Sequence, residues 1–455
     1  MENKIYGRWK TLSSAIELEG NLIVDEEKRK LFLELLIPDP GDGGPTAGFE
    51  RGTVFPLIQG SLFGGGSILL HNCTCLGTSG FLGDVLQLIH CEYGFYGLRI
   101  EEEYQFRFSE ICVTYDGMLE WTHLCRFEQR FDEDRHLSLH WFGEENITLK
   151  VSNDLNIDFS PSVSSNRGMF DPDAIMTQSV VVRFEYAQEV EWGRFLEDLK
   201  KVKYLNSFAL RAQIHVTEIK YCDPSLKKKN IIDSKKTKHI LPRSVLMGLN
   251  PTTEVNTLKG RGFFSLFGLK DGVQNGAIEK WFDIFETLEP VLDLLFSAIE
   301  GRANSEILCF LNYVQALETF HARFVANDVR EVTSQVRHFK EEHIKKHHSN
   351  SIDFLIKSDQ IYAKSVHLYT RLAYLSYDCG EYPWRFSDYL GKEKEYLTKI
   401  VDSRNYYTHY SQGKKAKAFR ETELYEVNCH LASLLQYHIL KILGFDSQYA
   451  LEKCM

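Results

Sequence analysis

The chain has 455 residues, of which 43% are hydrophobic and 13% aromatic, enough for more than one core, so two or three domains are expected. Its net charge of −10 argues against indiscriminate coating of nucleic acid but leaves room for a local basic cleft. No apolar run reaches the length of a membrane span, no export signal follows Met1, and ten cysteines scattered without a framework suggest reduced thiols, so no membrane role and a cytoplasmic location are expected.

The N-terminal part reads as β-rich. Strands are expected at residues 16–20, 30–37, 55–60, 67–73, 85–90, 103–108, 110–115, 135–141, 146–151 and 179–185, where apolar and polar residues alternate. Pro38–Pro45 is a loop by composition, and Gly64-Gly65-Gly66 reads as a hairpin turn, since no Gly-Lys-Ser/Thr follows to make it a phosphate loop. Residues 192–202 switch to helical spacing, a strand follows at 212–220, and short apolar runs at 245–247 and 263–266 close this half. Lys227–Lys229, with Lys235 and Lys236, frame a polar loop. Regularly spaced short strands point to a sandwich or barrel-like domain, here bounded at residues 1–270.

His71, Cys73, Cys75, His90 and Cys91 cluster in this half, and thiolate and imidazole ligands suit zinc. Cys-x-Cys is not a usual zinc-knuckle spacing, and buried free cysteine is common in alternating strands, so core packing is the preferred reading. No metal and no cofactor is expected.

From residue 275 to 455 the periodicity is helical. Ile278, Trp281, Phe282, Phe285, Leu288, Leu292, Leu295 and Phe296 form one stripe, and Ile307, Phe310, Leu311, Val314, Leu317 and Phe320 another. The His-rich stretch from Arg337 to Ser349, with His343 and His347 four apart, reads as an exposed charged helix. Helices at 352–377, 386–401 and 422–443 complete an all-α bundle, with a break at Gly380 and Pro383 and a cap at Gly444.

Between the last two long helices lies Asp402-Ser403-Arg404-Asn405-Tyr406-Tyr407-Thr408-His409-Tyr410. Arginine offers a planar fork of donors that fits phosphate. Histidine takes and gives a proton near neutrality. Arg followed five positions later by His is a weak signal by itself and recurs at Arg135 and His140, but there the alternation of a strand puts the two on opposite faces. On a helix, five residues leave two side chains about 140° apart and about 7.5 Å displaced along the axis. The pair can share a phosphate only at a helix terminus or opposite a second copy of itself.

The C-terminal half resembles the HEPN superfamily, whose nuclease members carry Arg, a polar residue, and His after four to six positions. Arg404-Asn405-Tyr406-Tyr407-Thr408-His409 fits, and Gln315-Ala316-Leu317-Glu318-Thr319-Phe320-His321 resembles the helix that packs beside the motif. The N-terminal half resembles the β-rich domain of ApeA-type antiphage proteins at Gly7-Arg8-Trp9, Ile58-Gln59-Gly60, Ile68–Cys73 and Leu119-Glu120-Trp121. The resemblance implies an α+β chain, a β-rich domain followed by an all-α HEPN bundle, acting as an abortive-infection effector that cuts RNA, with tRNA the expected substrate.

In that reading His409 is the general base for the 2′-hydroxyl, Arg404 binds the scissile phosphate, and Asn405 orients His409 or the phosphate. Tyr406, Tyr407 and Tyr410 would stack on bases, or in part pack in the core. Lys414, Lys415, Lys417 and Arg420 would attract the backbone. A homodimer through the helical domain and a phage-derived trigger sensed by the β domain are the expected partners. The competing reading is a non-catalytic HEPN module that binds a nucleotide or a protein, with the β domain as sensor.

Overall fold

A computed structural model describes residues 3–12, 17–25, 29–37, 49–81, 84–131, 137–166, 175–227, 240–248, 265–301, 305–325, 331, 334–335, 338, 366–379, 392–410 and 412–454. The expected loop at 38–45, Arg135, Lys228, Lys229, Lys235, Lys236, Phe263, Phe264, His343, His347, Gly380 and Pro383 lie outside them.

The chain forms two compact units. The first comprises residues 1–119, 124–200 and 215–261, the second residues 120–123, 201–214 and 262–455.

Six strands of the first unit close a barrel. They are β1 (Asn3–Thr11), β2 (Leu18–Asp25), β3 (Lys30–Ile37), β4 (Val54–Leu62), β5 (Ser67–Phe81) and β6 (Asp84–Tyr96). The order β6-β3-β2-β1-β4-β5 returns to β6, with every pairing antiparallel, so no strand edge is left open. Alternation fills the interior: Trp9, Leu22, Leu33, Leu35, Ile68, Leu70, Cys73, Ile89 and Cys91 pack together.

The Gly60 position is set by Trp9. A Cβ there would stand 2.3 Å from the indole, so a side chain of any size would clash. The indole N–H donates to the Gly20 carbonyl at 3.1 Å. Gly64–Gly66 make the β4–β5 turn as expected, with Gly65 and Gly66 at φ +92° and +94°.

Beyond its barrel pairings, β6 bonds β14 (Ile240–Met247), and the sheet runs on through β13 (Val216–Lys227), β7 (Arg107–Tyr115), β12 (Ile175–Glu191), β11 (Leu155–Asn166) and β10 (Ile147–Lys150). A separate hairpin joins β8 (Cys125–Phe131) to β9 (Leu137–Gly143). Helix α1 is Met118–Thr122 and α2 is Trp192–Leu210. Trp192 and Phe195 of α2 meet Phe95, Phe106, Phe108 and Phe184, a cluster of rings mostly edge to face.

Two expected strands shift. Residues 103–105 are a 3₁₀ turn, held by the Gln105 side chain accepting from the Glu101 and Glu102 N–H groups. Residues 212–215 are irregular because Arg211, at φ +53°, ends the preceding helix, and β13 starts at Val216.

The helical unit contains α3 (Leu269–Gln274), α4 (Ala277–Gly301), α5 (Glu306–Phe324), α6 (Leu368–Asp378), α7 (Glu393–His409), α8 (Gln412–Lys415), α9 (Glu421–Ile442) and α10 (Ser447–Cys454). The expected apolar stripe of α4 is buried at Ile278, Trp281, Phe285, Leu288, Leu292, Leu295 and Phe296. Each such side chain, fully buried, contributes about 1.5–3 kcal/mol. Gly444, at φ +102°, ends α9, with its N–H and that of Phe445 bonded back to Lys441 and Leu440. It is not the last cap, because α10 follows. No described helix is long and apolar enough to cross a membrane.

Candidate nuclease site

The motif lies inside a helix rather than in a connection. Arg404 to His409 are the final turns of α7, and His409 is its last residue. The helix is set by its inner stripe, Tyr396, Leu397, Ile400, Ser403 and Tyr407, all buried. It stops at Tyr410, which takes the left-handed conformation (φ +49°, ψ +35°) and returns its N–H to the Tyr406 carbonyl. His409 thus stands at the helix terminus, but Arg404 to His409 are all helical, so the two side chains still diverge by about 140°.

Two hydroxyls fasten this end of α7 to the approach to α9. The Ser403 Oγ donates to the Lys399 carbonyl at 2.6 Å and accepts from the Phe419 N–H at 2.7 Å. The Tyr407 hydroxyl donates to the Phe419 carbonyl at 2.7 Å. Both backbone groups of one buried residue are thus satisfied by side chains of the motif helix. Of the two readings open for the tyrosines, Tyr407 takes the core one: it is 6% exposed, with its hydroxyl committed, and has no face for a base.

The remaining motif residues reach the surface. Arg404 is 38% exposed, its Nη2 4.0 Å from Glu318 Oε2 on α5 and its Nη1 donating to Asn405 Oδ1 at 3.4 Å. Asn405 and Tyr406 are half-buried, and Thr408, His409 and Tyr410 are exposed. Of the expected basic residues, Lys415, Lys417 and Arg420 are exposed, while Lys414 donates to Asp402 at 2.9 Å. The Arg420 N–H is bonded by Glu423, which also meets Lys399 at 3.0 Å. Burial pushes the Glu423 carboxyl up, but these two partners outweigh it and hold the group below its usual range.

Behind Arg404 lies a second layer. His321 on α5 is fully buried, and its Nδ1 accepts from Arg371 Nη1 on α6 at 3.0 Å. Burial, helped by the Arg371 and His438 charges, drives the His321 pKa down to about 3, so the ring is neutral. Glu318 in turn acts on Arg371 by its charge. A chain His321–Arg371–Glu318–Arg404 therefore links three helices and ends on the motif arginine. The sequence offered Glu318 and His321 but not Arg371, which lies in an ordinary helical pattern far along the chain.

The cysteine candidates separate. Cys73 and Cys91 are a buried cross-strand pair, and Cys75 is held by the Gln87 amide at 3.0 Å. His90 packs on Phe32, and His71 stacks on Phe106. Among the described residues these do not come together as three metal-ligand atoms.

A family model described as ApeA N-terminal domain 1 matches residues 4–244, and one described as Apea-like HEPN matches residues 311–449. No curated protein and no solved structure matches the chain. The chain belongs to the ApeA family, an ApeA N-terminal domain 1 followed by an Apea-like HEPN domain, which is the make-up of an antiphage effector of HEPN nuclease type.

Proposed function

We propose that this protein is a metal-independent endoribonuclease that cuts RNA, with tRNA the expected class, and so aborts phage infection from the cytoplasm. The observation that carries the reading is the placement of Arg404, Asn405 and His409 at the solvent-facing end of α7, with exposed Lys415, Lys417 and Arg420 on the same stretch of chain. RNA brings its own nucleophile. His409 removes the 2′-hydroxyl proton, an effect of about 10²–10⁴-fold. Arg404 binds the scissile phosphate and stabilises the charge that grows on its oxygens. Asn405, hydrogen-bonded to Arg404, orients the guanidinium. Products are a 2′,3′-cyclic phosphate and a 5′-hydroxyl.

Because the motif is helical, Arg404 and His409 of one chain diverge by about 140°. A C2 dimer of HEPN domains overcomes this by setting two motifs face to face, so that one histidine serves as base and the other as acid for the leaving oxygen. Tyr406 and the 61%-exposed Tyr410 are the rings left to stack on splayed bases. The β-rich domain restrains the effector until a phage-derived trigger is sensed.

The test is incubation of the purified protein with bulk tRNA in EDTA. Fragments ending in cyclic phosphate are expected, and neither Arg404→Ala nor His409→Ala should produce them. Cleavage retained in either variant refutes the assignment, and cleavage stopped by EDTA favours a metal nuclease. Binding of RNA or protein with no cleavage under any condition favours a non-catalytic HEPN module.

A further inference from the structure

We propose that Glu110, Cys112 and Cys222 form a binding site for a thiophilic divalent cation of the zinc class, which clips β7 to β13. Glu110 and Cys112 are two apart on β7 and so share a face. Across the ladder Lys220 pairs with Cys112 and Tyr221 with Ile111, so the next residue of β13, Cys222, arrives opposite Glu110. The carboxylate oxygen and the two sulfurs lie within 4.8 Å of one another. Both thiols are buried, Cys112 at 9% and Cys222 at 5% exposure, while the Glu110 side chain keeps 30% and opens the site to an incoming ion.

The donor chemistry selects the ion. Two sulfurs exclude magnesium and calcium, which take oxygen, and favour zinc. Zinc bonds of about 2.3 Å to sulfur and about 2.0–2.2 Å to oxygen set tetrahedral ligand atoms about 3.5–3.8 Å apart. With every separation at or below 4.8 Å, the group needs to close by at most about 1 Å, within the reach of side-chain rotation on fixed strands. Water fills the fourth position.

Charge also balances. Two thiolates and a carboxylate around a divalent ion leave one negative charge. Arg183 of β12, paired in register with Cys112, brings its Nε within 3.5 Å of Glu110 Oε1. That Nε is buried with no hydrogen-bond partner. It is placed to hold the outer oxygen of a ligating carboxylate, as second-layer donors do around metals. On binding, each thiol releases its proton to solvent as a metal–sulfur bond forms, with no change of oxidation state. The clip joins strands that are about 110 residues apart in sequence and central in the extended sheet.

The experiment titrates reduced, metal-stripped full-length protein with Co²⁺, read by thiolate-to-cobalt charge-transfer absorption, and then displaces it with Zn²⁺. One equivalent is expected, with a rise in the unfolding temperature. Cys112→Ser and Cys222→Ser should each weaken binding by about tenfold or more, Glu110→Gln should weaken it less, and Cys73→Ser should leave it unchanged. Thermal unfolding without metal shows which variants keep the fold. Should a cysteine variant fail to fold, Glu110→Gln decides, since its side chain is partly exposed. No uptake by the unaltered protein, or uptake equal in every folded variant, overturns the proposal. Neither result decides the catalytic assignment, which rests on Arg404→Ala and His409→Ala; an EDTA effect on cleavage that Cys112→Ser reproduces without EDTA is loss of the clip and not of a catalytic metal.

Discussion

Acid should loosen the helical unit through two buried histidines. His321 has its pKa pushed down to about 3 and His438, buried beside Leu375 and Asp378, to about 4; burial is the leading cause for both. An unfolded imidazole titrates near about 6.5. The folded values lie below this, so the unfolded chain binds protons that the native state refuses. Stability is therefore complete above about pH 6.5 and falls as pH drops toward the folded values. At about pH 5 an unfolded imidazole is protonated about 30 to 1 while both native rings stay neutral, a penalty of about 2 kcal/mol each and about 4 kcal/mol together. Against a usual domain stability of about 5–15 kcal/mol this is large. Urea unfolding followed by the helical signal, at about pH 7.5 and about pH 5, measures it, and His321→Gln should remove about half of the loss. An equal loss in the variant and the unaltered protein would refute a neutral, buried His321, and with it the chain through Arg371 to Glu318.

Other perturbations have defined outcomes. Ser403→Ala leaves the buried Phe419 N–H without its acceptor and should cost about 1–3 kcal/mol in urea unfolding. Gly60→Ala drives a methyl into Trp9 and should destabilise the barrel by about 1–3 kcal/mol, seen as a lower midpoint of the β signal. Tyr410→Gly removes a left-handed non-glycine residue, so stability should rise by up to about 1 kcal/mol while tRNA cleavage falls through the missing ring. Alanine at Lys415, Lys417 and Arg420 should lower RNA affinity and reduce the slope of log affinity against log salt by about 0.7 for each phosphate no longer neutralised.

What could be read from the sequence follows from how physics writes itself into it. The α4 stripe repeats at helical spacing, and the glycine turn between β4 and β5 has a composition no other element tolerates. Strand β1 was not legible, because Gly7 occupies a buried position and blanks the alternation. Barrel closure is a pairing of β5 with β6 and of β1 with β4, decided by register rather than by any local pattern. The candidate site was legible as Arg404 and His409 only through the resemblance to the HEPN motif, since Arg and His at that spacing are a weak signal by themselves. Its setting was not: Tyr407 reads like its neighbours Tyr406 and Tyr410, and its place on the inner stripe of α7 and its bond to the Phe419 carbonyl show only in the fold. Likewise Cys112 and Cys222 look unrelated until β13 is laid beside β7.

The strength of the Arg404–Glu318 pairing decides what the resting site can do. At 4.0 Å, with both side chains more than a third exposed, the pair lies at the long limit of an ion pair and belongs with surface bridges worth about 0–1 kcal/mol. A phosphate offers the same guanidinium two short, charge-assisted hydrogen bonds, each roughly twice as strong as a neutral one. Under the proposed function RNA would displace Glu318 at little cost, with the Arg371 charge still beside the carboxylate. Glu318 thus pre-aims the arginine without locking it. An ion pair this weak cannot hold the arginine against a phosphate, so under the proposed function restraint would have to act elsewhere, through the pairing of two HEPN domains or through the β-rich domain.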